Sequence, residues 1–175
     1  VRAGIALKKI LIAGEAGQTT NYENALAAMQ VHFVTSLQVK DVDEYDGLLL
    51  PGGGDVDPKL FGQLLIPEPE IRQYSEWEQQ LIRKGQEKLT PELDRIQLAI
   101  LKAFCQYRKP VFGICKGMQL INIAFGGDML RHLPTAVHHA YREKDQMHPA
   151  RNEVDSFLYE VYGSDMLVNS AHHQG

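Results

Sequence analysis

The sequence predicts an α/β domain built on a mostly parallel sheet with helices on both faces. Two observations carry this: short, uninterrupted apolar runs that stop at glycine, and helix-like stretches lying between them. A strand covered on both faces reads as continuously apolar, whereas a half-exposed antiparallel strand alternates. Parallel neighbours also need a long crossover between them, usually a helix.

Lys9-Ile10-Leu11-Ile12-Ala13-Gly14 is the first such run. Asn21 to Gln30 follows with helical composition, its apolar positions being Ala25, Leu26, Ala28 and Met29. Val31-His32-Phe33-Val34 reads as the second strand and Gly47-Leu48-Leu49-Leu50 as the third, ending at Pro51-Gly52-Gly53-Gly54. Pro67 to Leu89 is rich in Glu, Gln, Arg and Lys, and is expected to be an exposed helical excursion, either a solvated helix or a lid or partner surface. Thr90-Pro91-Glu92 is a good helix start: Thr can cap, Pro suits the first helical position, and Glu favours the positive helix end. Leu93, Ile96, Ile100, Leu101 and Phe104 then fall at helical spacing, so this helix is expected to pack on the sheet. Cys105, within it, is expected to be a small buried hydrophobe. Pro110 to Ile114 is the next strand and Lys116 to Phe125 the next helix. Asn152 to Tyr162 has mixed propensity, and Met166-Leu167-Val168-Asn169 resembles another strand.

The 175 residues suit one domain, with no linker, repeat or low-complexity tract. A 44% hydrophobic and 23% charged composition is that of a globular chain. The net charge of −4 gives no electrostatic reason to expect nucleic acid or an anionic membrane as partner. No apolar run approaches the roughly 18 residues of a membrane span, and no signal peptide is expected. The chain begins at Val1, so trimming at that end is expected. Two cysteines, Cys105 and Cys115, are too few for a disulfide scaffold or a four-thiolate zinc site, and they fit a reducing compartment, the cytoplasm by default. His132, His138, His139 and His148 lack ligand spacing and read as a surface loop. No metal and no cofactor is expected.

The stretch "VFGICKGMQL" (111–120) is where chemistry enters. A strand running into Gly-X-Cys-X-Gly and then a helix is the cysteine analogue of the nucleophile elbow. The glycines permit a tight turn, and the following helix start, including the Lys116 N–H, can face an anion. A helix N-terminus also favours thiolate, the attacking species. "PGGGDVDP" (51–58) likewise follows a buried strand, so it is expected at the same carboxyl edge, where open α/β sheets bind ligands. The N–H of Gly53, paired with that of Lys116, would make an oxyanion hole. An ordinary glycine-rich loop, with Asp55 and Asp57 satisfying turn amides, is the alternative reading of this segment.

Together these segments resemble the class I glutamine amidotransferase superfamily, and more narrowly its γ-glutamyl-γ-aminobutyrate hydrolase-like branch. "LLLPGGGDVDP" (48–58), "TPELDRIQLAILKAF" (90–104), "PVFGICKGMQLINIAFGG" (110–127) and "VNSAHHQG" (168–175) carry the resemblance, in the family's order. It implies a flavodoxin-like domain that cleaves the side-chain amide of glutamine or of a γ-glutamyl compound. By the resemblance, Cys115 is the nucleophile that forms a γ-glutamyl thioester, and Gly53 and Lys116 are backbone oxyanion donors. Lys116 stands where many relatives carry arginine, a mild change if only its N–H is used. The resemblance further implies that Gly54, Gln119, Ser170 and His172 line the substrate.

A cysteine hydrolase also needs a base for the thiol and an acid for the leaving amine. The superfamily places these in a His-Pro-Glu segment beyond "VNSAHHQ", and residues 1–175 contain none. His148-Pro149-Ala150 precedes that motif and lacks the glutamate, and His172 and His173 fit the pocket wall better than the base. The pattern is expected to continue past Gly175, and residues 1–175 alone are expected to turn over γ-glutamyl substrates slowly or not at all. Three functions stay open: hydrolysis of a small γ-glutamyl amine, a glutaminase subunit feeding ammonia to a synthetase partner, and a non-catalytic scaffold. The leaving amine and any homo-oligomer stay undetermined at this level.

Overall fold

The computed structural model describes residues 8–175, so the readings of the extreme N-terminus lie outside the described residues. In chain order its first elements are β1 (Lys9–Ile12), α1 (Thr20–Ala28), β2 (His32–Thr35), β3 (Gly47–Leu50), α2 (Glu68–Ile71), α3 (Glu76–Glu87) and α4 (Pro91–Gln106). Then come β4 (Val111–Gly113), α5 (Lys116–Ala124), α6 (Ala136–His139), β5 (Gln146–Arg151), α7 (Phe157–Tyr162) and β6 (Asp165–Ser170). None of the helices among the described residues is long and apolar enough to cross a membrane.

The chain divides into two compact units, Val1–Leu65 with Lys84–Met129, and Ile66–Arg83 with Leu130–Gly175. The first unit holds a four-stranded parallel sheet in the order β2-β1-β3-β4, the α/β architecture that the apolar runs predict. Leu11, Ala13, Leu48 and Leu50 cluster with Ile100, Leu101 and Phe104 of α4. Burying a side chain of the size of Phe104, which is fully enclosed, stabilises by about 1.5–3 kcal/mol.

α4 departs from its expected pattern in three places. Its buried residues are Asp94, Gln97, Ile100, Leu101 and Phe104, so two polar side chains lie in the apolar stripe. Cys105 is exposed rather than buried. One residue beyond Phe104, it is turned about 100° from the buried stripe, at the helix end. Thr90 occupies the N-cap, but its hydroxyl caps nothing and instead accepts from Lys116 Nζ at 3.2 Å.

Close backbone approach explains the glycines around Cys115. A Cβ on Gly117 would collide with the Leu50 carbonyl oxygen, and one on Gly113 would lie 2.6 Å from both the Gly117 carbonyl carbon and Ile121 Cδ1. The first turn of α5 is therefore pressed directly onto β3 and β4. Neither glycine takes a positive φ; among the residues of the elbow it is Cys115 itself that does.

The second unit carries the antiparallel pair β5–β6, with Gln146 opposite Ser170 and Arg151 opposite Asp165. Ile66, Ile71 and Ile82 form its own apolar cluster, against which Tyr74 packs. Arg83 grips Glu68 through two bonds, 2.7 and 3.0 Å. Leu130 and Gly175 exchange backbone hydrogen bonds, and Leu133 N–H donates to His173. The surface-loop reading of the histidine stretch is corrected here. His148 lies in β5, and Pro149 is accommodated because a two-stranded ribbon consists of edges, where a missing N–H is tolerated. His132 is buried, its ring nitrogens 3.1 Å from His173 Nδ1 and 3.3 Å from Glu78 Oε1. The Ser75 hydroxyl above all, with His132 adding to it, holds the Glu78 carboxyl below its ordinary range. His139 stacks on His172 and meets His148 edge-on, with ring centroids 5.5 and 4.7 Å away.

Two predictions follow from this packing. Gly117→Ala is expected to lower stability by about 1–3 kcal/mol through overpacking, while Gly54→Ala, where an added Cβ meets open space, changes it by less than about 0.5 kcal/mol; denaturant midpoints of the two variants check the contrast. Burial, and then the neighbouring His148, His172 and His138, push the His139 ring below its ordinary pKa. The unfolded chain therefore binds a proton there first as pH falls below about 6.5, so stability is intact above that pH and declines beneath it. Protection factors of the β5–β6 amides, with each rate corrected for its intrinsic pH dependence, should fall on acidification in the parent and less so in His139→Gln; identical acid slopes in the two would contradict this assignment.

Candidate active site

Parallel pairing brings two loops to one edge of the first unit's sheet. β3 and β4 are neighbours, with Leu50 opposite Gly113, and both run in the same direction. The segment 51–58 leaves β3 and the segment beginning at Ile114 leaves β4, so both emerge at the carboxyl ends of adjacent strands. Ile114 N–H continues the ladder by donating to the Leu50 carbonyl at 3.0 Å. The chain then turns sharply into α5.

Cys115 makes that turn. It is the N-cap of α5, with φ 51° and ψ −112°, and it is exposed. A non-glycine residue in such a sparsely populated region costs of order 1–3 kcal/mol and persists only where its surroundings over-determine it. Here they do: Gly113 pairs with Leu50 on one side and Gly117 abuts Leu50 on the other, so the two backbone segments must be joined within three residues. The Cys115 carbonyl accepts from Gln119 N–H at 3.1 Å, so the helix begins at the cysteine without drawing on its side chain.

The glycine loop lies beside it. A Cβ on Gly52 would come within 3.4 Å of Cys115 Cβ and 2.7 Å of the Tyr22 hydroxyl. The Gly52 N–H donates to that Tyr22 hydroxyl at 2.8 Å, which ties the loop to α1. Gly53 lies over the Lys116 side chain: an added Cβ would be 3.0 Å from Cδ and 3.9 Å from Nζ. Among the described residues, no acceptor takes a hydrogen bond from the N–H of Gly53 or of Lys116. Free donors are expected in the first turn of a helix; here a second one comes from the loop alongside.

Beneath this edge lies a buried ionic group that the motifs do not announce. Lys116 Nζ is 2.5 Å from Asp94 Oδ1, the two side chains being 3% and 0% exposed. Asp94 Oδ2 accepts the Asp57 N–H at 2.9 Å. Asp57 in turn accepts from Lys59 N–H at 3.1 Å and starts a short 3-10 turn at Pro58. Besides its N–H, Lys116 thus has a side chain that is enclosed and paired. The neighbouring stripe residue Gln97 donates to the Ala13 carbonyl at 2.8 Å, at the end of β1.

The first unit therefore holds Cys115, Gly53, Gly54, Lys116 and Gln119 of the candidate residues, with Gln119 buried and Gly54 open to solvent. Ser170 and His172 belong to the second unit. Ser170 is buried, its hydroxyl 3.4 Å from His139 Nδ1, and His172 Nδ1 lies 3.1 Å from the Gln174 carbonyl. Sequence reasoning missed Tyr22 and Asp94; it read Asp57 as satisfying a turn amide, which it does at Lys59 N–H, and Thr90 as a helix cap. For Asp94 and Gln97 a signal existed: they precede Leu101 and Phe104 at the spacing of one helix face.

The chain is similar to several known proteins. Protein NtpR of Enterococcus hirae is 32% identical over 142 residues, 76% of this chain and 52% of the relative. A γ-glutamyl-γ-aminobutyrate hydrolase of Escherichia coli O157:H7 is 28% identical over 155 residues, 80% of this chain and 53% of its own. The chain thus spans about half the length of these curated relatives. Among solved structures, a glutamine amidotransferase from Thermotoga maritima superposes with a TM-score of 0.60, covering 97% of this chain and 62% of that one at 12% identity. That likeness shows a shared flavodoxin-like α/β fold. The Peptidase C26 family model matches residues 26–175, a span that contains both sheet-edge loops and α5, and the chain belongs to the Peptidase C26 family.

Proposed function

We propose that this chain carries the nucleophile half of a cysteine-dependent γ-glutamyl amide hydrolase, acting on a small γ-glutamyl amine. The observation that carries the reading is the exposed Cys115 at a strained helix start, with the unengaged N–H groups of Gly53 and Lys116 in the two loops that meet there. The name of the E. coli relative supports the substrate class, γ-glutamyl-γ-aminobutyrate being a γ-glutamyl amide.

The chemistry follows from the residue types. The Cys115 thiolate attacks the γ-carbonyl carbon; a C–S bond forms and the carbonyl π pair moves onto oxygen. Two N–H donors stabilise that oxyanion, each worth about 2.7–4 kcal/mol in comparable sites. Collapse breaks the C–N bond and leaves a γ-glutamyl thioester, which water then hydrolyses to glutamate and free thiol. The amine departs with a proton from a general acid, the role that the resemblance gives to a His-Pro-Glu segment not contained in residues 1–175. Gly54 and Gln119 of the first unit are proposed to hold the glutamyl group.

Because Cys105 and Cys115 are both exposed, alkylation separates chemical activation from mere access. Iodoacetamide near neutral pH is expected to label Cys115 faster than Cys105, with glutamine or γ-glutamyl-γ-aminobutyrate protecting Cys115 only. Peptide mass spectrometry reads both sites, and Cys115→Ala removes the protected adduct. Equal labelling of both thiols, or protection of neither, contradicts the proposal.

A further inference from the structure

We infer that the buried Lys116–Asp94 pair is a positioning device that sets the spacing between the two proposed oxyanion donors. This inference rests on the functional reading above and deepens it. Its starting point is that the pair is costly as a stabilising element alone. Removing two charges from water carries a penalty that a buried ion pair often fails to recover, and well-packed apolar residues can be as stable. What an ion pair supplies in exchange is direction, because each of its polar atoms demands a partner in a particular place.

Every partner of this pair bears on the site. Lys116 Nζ binds Asp94 Oδ1 and Thr90 Oγ1, both from the start of α4. Asp94 Oδ2 takes the Asp57 N–H, so the carboxylate fixes the far end of the loop that begins with Gly52 and Gly53. The Lys116 stem fixes its near end: Gly53 lies so close over Cδ that a Cβ there would stand 3.0 Å away. One side chain therefore starts at the residue supplying one donor N–H, runs beside the residue supplying the other, and ends on the carboxylate that holds the loop of that second residue. The distance between the two N–H groups is set by the length and anchoring of that chain. Lys116 and Asp94 touch no substrate through their side chains in this scheme; they act by holding the backbone donors.

A γ-glutamyl chloromethyl ketone tests this. The Cys115 thiolate adds to its carbonyl, giving an oxyanion that the two donors would stabilise. The sulfur then bonds the adjacent methylene carbon as the C–Cl bond breaks and chloride leaves, the first C–S bond breaks as the carbonyl re-forms from the oxyanion, and a thioether ketone remains. Iodoacetamide loses iodide in a direct substitution that forms no such oxyanion, so the ratio of the two rates at Cys115 reads the donors. In Lys116→Met the chloroketone rate is expected to fall about 100-fold, the order that a misplacement of about 1 Å costs. The iodoacetamide rate of the same variant serves as its own reference, so the ratio alone is read. Lys116→Arg, which keeps the charge, should recover most of the ratio. Because Lys116→Met leaves Asp94 unpaired, Asp94→Asn/Lys116→Met serves as the second variant: its thermal stability should recover while its ratio stays low. A parent-like ratio in Lys116→Met, or a ratio that recovers along with stability in the double variant, overturns the inference and leaves the hydrolase reading intact. Failure of the chloroketone to label parental Cys115 selectively overturns the hydrolase reading and the inference with it.

Discussion

The structure of the first unit depends on one contact, that of the first turn of α5 against β3 without an intervening side chain. Gly117 rests on the Leu50 carbonyl, and Gly113 is paired with Leu50 and pressed on Gly117. With both ends of the turn held at backbone distance, the residue between them has little conformational freedom, and Cys115 takes φ 51°. Strain at one residue is thus stored against the packing of a whole helix, as it is at sharp turns that present a nucleophile. The thiol is consequently exposed at a helix N-terminus instead of being folded into the apolar interior beside Leu120.

The buried Lys116–Asp94 pair is the second constraint. The glycine contacts hold the elbow to the sheet; the ion pair holds the loop after β3 to the elbow and both to α4. Removing either partner alone would strand a charge, a change that typically costs about 3–5 kcal/mol. Tyr22 adds a tie from α1 through the Gly52 N–H. Loops rich in glycine are ordinarily free to move; this one is tied at Gly52 by Tyr22 and at Asp57 by Asp94.

The strands and main helices of the first unit were legible because their signals are strong and local. Leu48-Leu49-Leu50 is uniformly apolar and is buried along its length, and the run from Ile96 to Phe104 keeps helical period. What stayed hidden was non-local or violated a simple polarity rule. Asp94 and Gln97 occupy the buried stripe of α4, yet polarity alone places them toward water; the Lys116 ammonium and Asp57 N–H for Asp94, and the Ala13 carbonyl for Gln97, all distant in sequence, offset their burial. Cys105 shows the reverse error, an apolar residue one step past the stripe. β5 was missed because Pro149 and the polar residues around it suppress strand propensity, and its pairing with β6 supplies what the local sequence lacks. At the candidate site, the motifs single out Cys115, Gly53 and Lys116, while the reason for the flanking glycines was not legible: they serve close packing, and the cysteine carries the unusual dihedral.

The claim on which the account turns is that the N–H groups of Gly53 and Lys116 converge on one oxygen. A crystal structure of the protein with Cys115 trapped as a tetrahedral γ-glutamyl adduct measures this directly. The account predicts an oxyanion about 2.7–3.1 Å from both nitrogens. An adduct oxygen pointing to solvent, or bonded to neither N–H, would contradict it.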